Sequence, residues 1–174
     1  MSEKIMVEED KIFALRREAE RLEEDATYSS KSHFNAASIW ENTTYWLGIP
    51  STILAALAGA TLIKNYPEWA SGCAMLASLL TGLMTFLKPN EQAVIHRAVG
   101  GRFLALRNET RFFREFELLQ TERINELSDK LKELLTTRNK LNQKSPSIPR
   151  WAFLVARKGI EEGEARYKVD TEDK

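Results

Sequence analysis

The chain has 174 residues, and its 25 basic and 25 acidic residues cancel to a net charge of zero. This length suits one domain of ordinary size, and the balance lacks the basic excess that nucleic-acid binding needs. A single cysteine, Cys73, excludes an internal disulfide. The mean hydropathy of -0.37 is that of a soluble protein. This average is misleading, because the apolar residues are concentrated in the middle third of the chain.

Residues 1–41 are charged and predict an amphipathic N-terminal helix and a lead-in segment. Within 8–26, apolar residues recur at spacings of three and four: Ile12, Leu15, Ala19, Leu22 and Ala26. Residues 1–41 contain 6 basic and 10 acidic residues, whereas 88–174 contain 18 and 14. The helix could lie on a bilayer or pack on another helix. Because surface helices that bind anionic lipid are usually basic, we expect it to pack against the basic C-terminal region.

Residues 42–87 contain two uncharged stretches, 42–63 with 22 residues and 69–87 with 19. As helices they would reach about 33 Å and about 28 Å, close to the thickness of a bilayer core. Only five residues, Lys64 to Glu68, connect them. The sequence therefore predicts an all-α membrane protein with a two-helix transmembrane hairpin. The connection holds one basic residue, against five near the outer ends: Lys31, Lys88, Arg97, Arg102 and Arg107. This asymmetry predicts that both termini are cytoplasmic.

Residues 88–174 predict a cytoplasmic stalk, a short C-terminal helix and a polar tail after about residue 168. A long helix is expected over about 91–143, with an imperfect coiled-coil pattern. The short helix, about 150–166, is expected to have Trp151, Leu154, Val155 and Ile160 on its apolar side. Proline and glycine mark four candidate hinges, of which Gly100 and Gly101 could instead serve a close helix contact: Pro50, Pro89, Gly100 and Gly101.

The sequence contains no recognisable catalytic, cofactor-binding or metal-binding site. It has two histidines, one cysteine, no metal-ligand spacing and no glycine-rich phosphate loop after a strand. The carboxylates fall on charged helix faces, so we do not expect an enzyme. His33 and His96 lie just outside the two uncharged stretches. As a pair they could respond to pH between about 5 and 8, or simply form a structural hydrogen bond.

Small and hydroxyl-bearing residues form a stripe along each uncharged stretch. On the second stretch the candidate pore-lining residues are Ser71, Ser78, Thr81 and Thr85. On the first, the stripe comprises Thr44, Gly48, Ser51 or Thr52, Ala55 and Gly59. Such stripes could pack the two helices together, or they could line a pore built from several subunits. Neither stretch contains an ionisable residue of the kind that marks coupled transporters.

Several short motifs accompany this layout: Ser30-Lys31-Ser32-His33-Phe34, Ile49-Pro50, Ala93-x-x-x-Arg97-Ala98 and Arg111-Phe112-Phe113. Together with the layout over roughly 8–168, they resemble the SLATT family, two-transmembrane effector domains of bacterial conflict systems. The resemblance implies an oligomeric pore-forming effector in the inner membrane, acting in antiviral defence. It also implies a nucleotide-signalling partner protein that supplies the trigger.

Two other functions fit the sequence. In the first, the hairpin only tethers a helical scaffold that recruits a soluble partner. In the second, the protein is a soluble helical enzyme whose hairpin is buried. The enzyme would stay in solution without detergent, whereas the scaffold would work with an unrelated two-span anchor in place of residues 42–87.

Overall fold

The computed structural model describes residues 2–119, 124–165 and 167, with side chains from residue 8 onward. Within these residues every regular element is helical. In chain order the helices are α1 (Ser2–Ile63), α2 (Pro67–Leu87), α3 (Pro89–Glu115), α4 (Ile124–Lys144) and α5 (Arg150–Glu161), and a 3₁₀ turn at Glu117–Leu119 follows α3. The all-α prediction is confirmed. The polar tail expected after residue 168 lies outside the described residues.

Helix α1 continues from the amphipathic segment into the first uncharged stretch and ends at Ile63, where that stretch ends. Its end is capped by Asn65, which adopts a left-handed conformation with φ of 60°. The Tyr66 N–H donates to the Thr61 carbonyl, and the Asn65 N–H donates to the Leu62 carbonyl. This is the Schellman arrangement, which satisfies the last carbonyls of a helix. Pro67 then starts α2, at a position where its missing N–H costs nothing.

Two compact units divide the chain, one comprising residues 1–35 and 96–174 and the other residues 36–95. The first unit has the larger core, built from three helices and the 3₁₀ turn. Its buried apolar residues are Ala19, Leu22, Ala26, Val99, Phe103, Leu106, Phe113, Leu118, Leu127, Leu131 and Leu134. Three of the five residues predicted for the apolar face of 8–26 belong to this core. The predicted packing of the acidic helix on the C-terminal region is therefore confirmed.

Ion pairs join the acidic face of α1 to α3 and α4. Arg114 Nε lies 3.1 Å from Glu23 Oε2, and both side chains are largely buried. Arg138 pairs with Asp25. The opposite charges of the two regions thus meet side by side within this unit.

The single long helix expected over 91–143 is wrong, because α3 ends at Glu115 and α4 begins at Ile124. Phe113 before the break, Leu118 in the 3₁₀ turn within it and Leu127 after it enter the same core as the apolar face of α1. A straight helix could not bring both halves of 91–143 onto that one short face. Burial of these side chains outweighs the local helical preference.

The second unit contains the C-terminal part of α1, helix α2 and the first turns of α3. Both apolar helices are long enough and apolar enough to cross a membrane by length and composition. Only 6% of the most apolar window in α1 and 11% of that in α2 is buried. The soluble alternative requires a buried hairpin, whereas these windows are mostly exposed in the single chain.

Candidate functional site

The uncharged part of α1 contacts α2 through a small polar cluster. Ser51 is buried, and its Oγ donates to the Ala77 carbonyl at 3.1 Å. It also lies 2.8 Å from Thr81 Oγ1, which donates to the same carbonyl at 2.9 Å. Nearby, a Cβ added at Gly48 would lie 3.5 Å from the Met84 side chain, at ordinary van der Waals distance. Small hydroxyl-bearing residues thus bond the two helices, as they do in membrane proteins.

The remaining candidate pore-lining residues lie on the exposed surface of α2. Ser71, Ser78 and Thr85 are exposed, and each hydroxyl donates to the carbonyl four residues earlier at 2.8, 2.8 and 2.9 Å. Thr81 sits at the edge of the same stripe and reaches Ser51. The stripe therefore has one edge at the contact with α1 and an outer part that is available to lipid, water or another subunit.

Large apolar side chains surround this stripe and are exposed as well. Trp46 is 78% exposed and Phe86 is 86% exposed, and the others at or above two-fifths exposure include Ile49, Ile53, Leu57, Met75, Leu76, Leu79 and Leu83. A soluble monomer rarely exposes so large a continuous apolar surface. Each such side chain gains about 1.5–3 kcal/mol on leaving water, so this surface requires lipid or protein around it.

The four candidate hinges occupy different environments. Pro50 lies inside α1, which continues through it to Ile63. Pro89 starts α3 immediately after Lys88, whose φ is 46°. The preceding helix therefore ends at Leu87, directly before these two residues.

The two remaining hinge candidates, Gly100 and Gly101, lie next to each other in α3. A Cβ at Gly100 would lie 3.1 Å from the Phe34 ring, and the Gly100 carbonyl accepts from Ser30 Oγ at 3.0 Å. Gly101 has open space around it. Gly100 therefore marks a close contact between α1 and α3, and the hinge roles stay predictions.

The two histidines meet in the first unit, where α1 packs on α3. His33 and His96 are 1% and 3% exposed, and their Nδ1 atoms lie 2.9 Å apart. The His33 ring also stacks on Phe103, with centroids 5.8 Å apart. Burial and, to a lesser extent, the charge of His96 lower the pKa of His33 to about 4, and burial lowers the pKa of His96. The pair is therefore neutral near pH 7, and it belongs to the core.

A cavity in the same unit involves several cationic groups. It lies between α1, α3 and the segment after α5. Lys31 pairs there with Glu164, and Arg107 Nη2 donates to the Ala165 carbonyl at 3.1 Å. The Arg107 guanidinium also lies 5.3 Å from the centre of the Tyr167 ring. Lys31 and Arg107 Nη2 thus bind the segment after α5, whereas Arg107 Nε is buried with no hydrogen-bond partner among the described residues.

Sequence reasoning could not foresee two features of these contacts. Ser51 and Thr81 belong to stripes in which small residues recur every three to four positions. This regular spacing does not identify which hydroxyl of one helix contacts which hydroxyl of the other. Helix α5 packs through Ala152, Ala156 and Gly159, and these small residues carry no hydrophobic signal strong enough to orient the helix. Among the described residues, no group of three or more histidine, cysteine, aspartate or glutamate side chains could hold a metal ion.

Comparison of the chain with protein-family models, with curated protein sequences and with solved structures returned no match. The functional argument therefore rests on the residues and contacts described above.

Proposed function

We propose that this chain crosses a bacterial inner membrane twice, with both termini in the cytoplasm, and self-associates to form a pore. The observation that carries the proposal is the exposed apolar surface of α1 and α2, on which Ser71, Ser78 and Thr85 form a hydroxyl-bearing stripe. Lipid would cover the apolar part, and neighbouring subunits would bring their stripes together. Two helices cannot enclose a pore, so several subunits are required.

The pore would serve an effector that compromises the membrane on an upstream signal. This part of the proposal is supported by the resemblance of the layout and short motifs to the SLATT family. The stretches contain no Asp, Glu, Lys, Arg or His, which suits a weakly selective pore better than a coupled transporter. The signal would reach the unit formed by 1–35 and 96–174 directly or through a nucleotide-signalling partner protein.

Ion flux from liposomes that contain the purified protein tests this proposal, with the oligomeric state measured on the same sample. Ser78→Leu should reduce the flux while leaving the oligomer intact, because a bulky side chain would narrow the lumen. Gly72→Leu is the matched control, since Gly72 is exposed with open space around it and lies about a third of a turn from Ser78. Equal flux from the two variants would exclude Ser78 from the pore wall.

A membrane-anchored helical scaffold is the second candidate. It is favoured by the hydroxyl bonding, because Ser71, Ser78 and Thr85 already donate to their own helix and need no water. An unrelated two-span anchor in place of residues 42–87 should then preserve function. Loss of function in the swapped chain, with normal membrane insertion, would support the pore.

A further inference from the structure

Helix α5 buries its small residues and exposes its large ones. Ala152, Ala156 and Gly159 are buried against the rest of their unit. Trp151, Leu154 and Val155 are 39%, 49% and 56% exposed. Three of the four residues predicted for the apolar side of this helix are therefore exposed rather than packed on the rest of the unit. Close packing on a small-residue face explains the orientation, and it leaves an apolar strip without a partner in the chain.

Basic side chains accompany this strip. Between Arg150 and Glu161 the helix has three basic residues and one acidic residue. Arg157 pairs with Glu161, and Lys158 lies 3.8 Å from Glu162, but all four side chains are more than half exposed. These pairs can exchange for other anions at little cost, because exposed ion pairs contribute little stability. Apolar anchors beside basic residues are typical of helices that lie on anionic membranes, whereas the centres of protein interfaces are poor in charge.

The first turn of α5 lies beside a part of α1 that is close in sequence to the uncharged stretch. Asn35 Nδ2 is 3.5 Å from the Ala152 carbonyl, and Tyr28 packs against Phe153 with ring centroids 6.0 Å apart. Asn35 precedes Asn42, the first residue of the uncharged stretch, by seven positions in the sequence.

We propose that the outward face of α5 lies in the headgroup layer of an anionic bilayer. Trp151 and Leu154 would insert between the lipids, and Arg150, Arg157 and Lys158 would face the lipid phosphates. Tryptophan suits this position because its ring is largely apolar and its N–H remains near water. The inference rests on the membrane insertion that is part of the proposed function, and it does not depend on a pore.

Site-specific fluorescence on the full chain tests the contact. Cys73→Ser removes the native thiol, and Leu154→Cys then carries an environment-sensitive dye in anionic nanodiscs. Brominated lipids should quench this dye, and its emission should shift to shorter wavelength. The control position is Asn139→Cys on the exposed side of α4, where neither change is expected.

Charge variants identify the lipid headgroup as the partner. Arg157→Gln with Lys158→Gln should reduce quenching at position 154, and so should replacement of the anionic lipid by a neutral one. Lys130→Gln with Lys132→Gln removes the same charge from the exposed face of α4 and should leave quenching unchanged.

Resistance to alkaline extraction separates this inference from the proposed function. A chain that resists extraction but shows no quenching at position 154 overturns the α5 contact and leaves membrane insertion standing. Energy transfer between copies at position 154, without quenching, also overturns it, because the strip would then face a second subunit. A chain that alkali extracts from the membrane overturns both.

Discussion

The buried pair His33 and His96 makes the stability of the fold depend on pH, because the hydrogen bond between the rings requires a nitrogen that carries no proton. When both rings are neutral, one Nδ1–H donates to the other Nδ1 across the 2.9 Å separation. When both rings are charged, both nitrogens carry protons and the bond is lost. Because the fold favours the neutral forms, the pKa of each group is lowered, that of His33 to about 4. The stabilisation is therefore complete when the pH is above the ordinary histidine pKa. It is lost as the pH falls toward the lowered pKa of the folded protein.

We expect the melting temperature of the protein in detergent to decrease as the pH is lowered from about 7.5 to about 5.5. Most carboxylates titrate below this range, so they should contribute little to the change. Each pH unit below about 6.5 should cost up to about 1.4 kcal/mol through His33, whose pKa is lowered to about 4, and the lowered pKa of His96 adds a cost of the same sign. Circular dichroism across this window measures the effect. In the control, His33→Leu with His96→Leu, the melting temperature should depend less on pH. An unchanged pH dependence in this double variant would show that other groups cause it.

Adjacent glycines in α3 offer a second test at this scale. Gly101→Ala should stabilise the protein by about 0.8–1.0 kcal/mol, the difference in helix propensity, because nothing lies within 4 Å of its added Cβ. Gly100→Ala gains the same propensity but places its Cβ 3.1 Å from Phe34. We expect the second variant to be less stable than the first in denaturant titrations. Equal stabilities would mean that the Phe34 ring shifts freely and that the contact is loose.

At the scale of elements, ion pairs attach the acidic face of α1 to α3. Glu23 and Arg114 have side-chain exposures of 16% and 23%, whereas Asp129 and Lys132 on α4 are 76% and 71% exposed. A double-mutant cycle on the first pair, with Glu23→Gln and Arg114→Gln, should give a coupling of about 1 kcal/mol. The same cycle on the second pair should give much less, because water screens it. An equally large coupling energy at the exposed pair would contradict the claim that burial strengthens the Glu23–Arg114 pair.

Helix ends were predictable from sequence where local chemistry sets them. Asn65 and Pro67 end one helix and start the next by their own backbone preferences, and Pro89 does the same after Lys88. The break after Glu115 has no such residue, because it arises when Leu118 in the 3₁₀ turn and Leu127 in α4 reach one core. The direction in which α5 packs was not predictable from its sequence for a related reason. Hydrophobic periodicity identifies the larger side chains, and this helix packs through its smaller ones.

At the scale of the whole molecule, the unit formed by 1–35 and 96–174 is interrupted in sequence by residues 36–95. Its core residues all lie within 19–26 and 99–134, so no residue of the interruption contributes to that core. The ends of the interruption are also close together, because His33 and His96 are in contact. A short flexible linker can therefore close the chain at little entropic cost.

We expect a shortened chain, with residues 36–95 replaced by a glycine–serine linker, to be soluble and to unfold cooperatively. Removing the exposed apolar surface of α1 and α2 eliminates the requirement for lipid, while the core and the Glu23–Arg114 pair stay intact. Size-exclusion chromatography without detergent and thermal melting followed by circular dichroism measure both properties.

The same shortened chain with Phe103→Ala should lose about 3–5 kcal/mol of unfolding free energy and its sharp thermal transition, because Phe103 is 1% exposed in the core. A chain that is soluble but melts without cooperativity would show that this core depends on the two apolar helices.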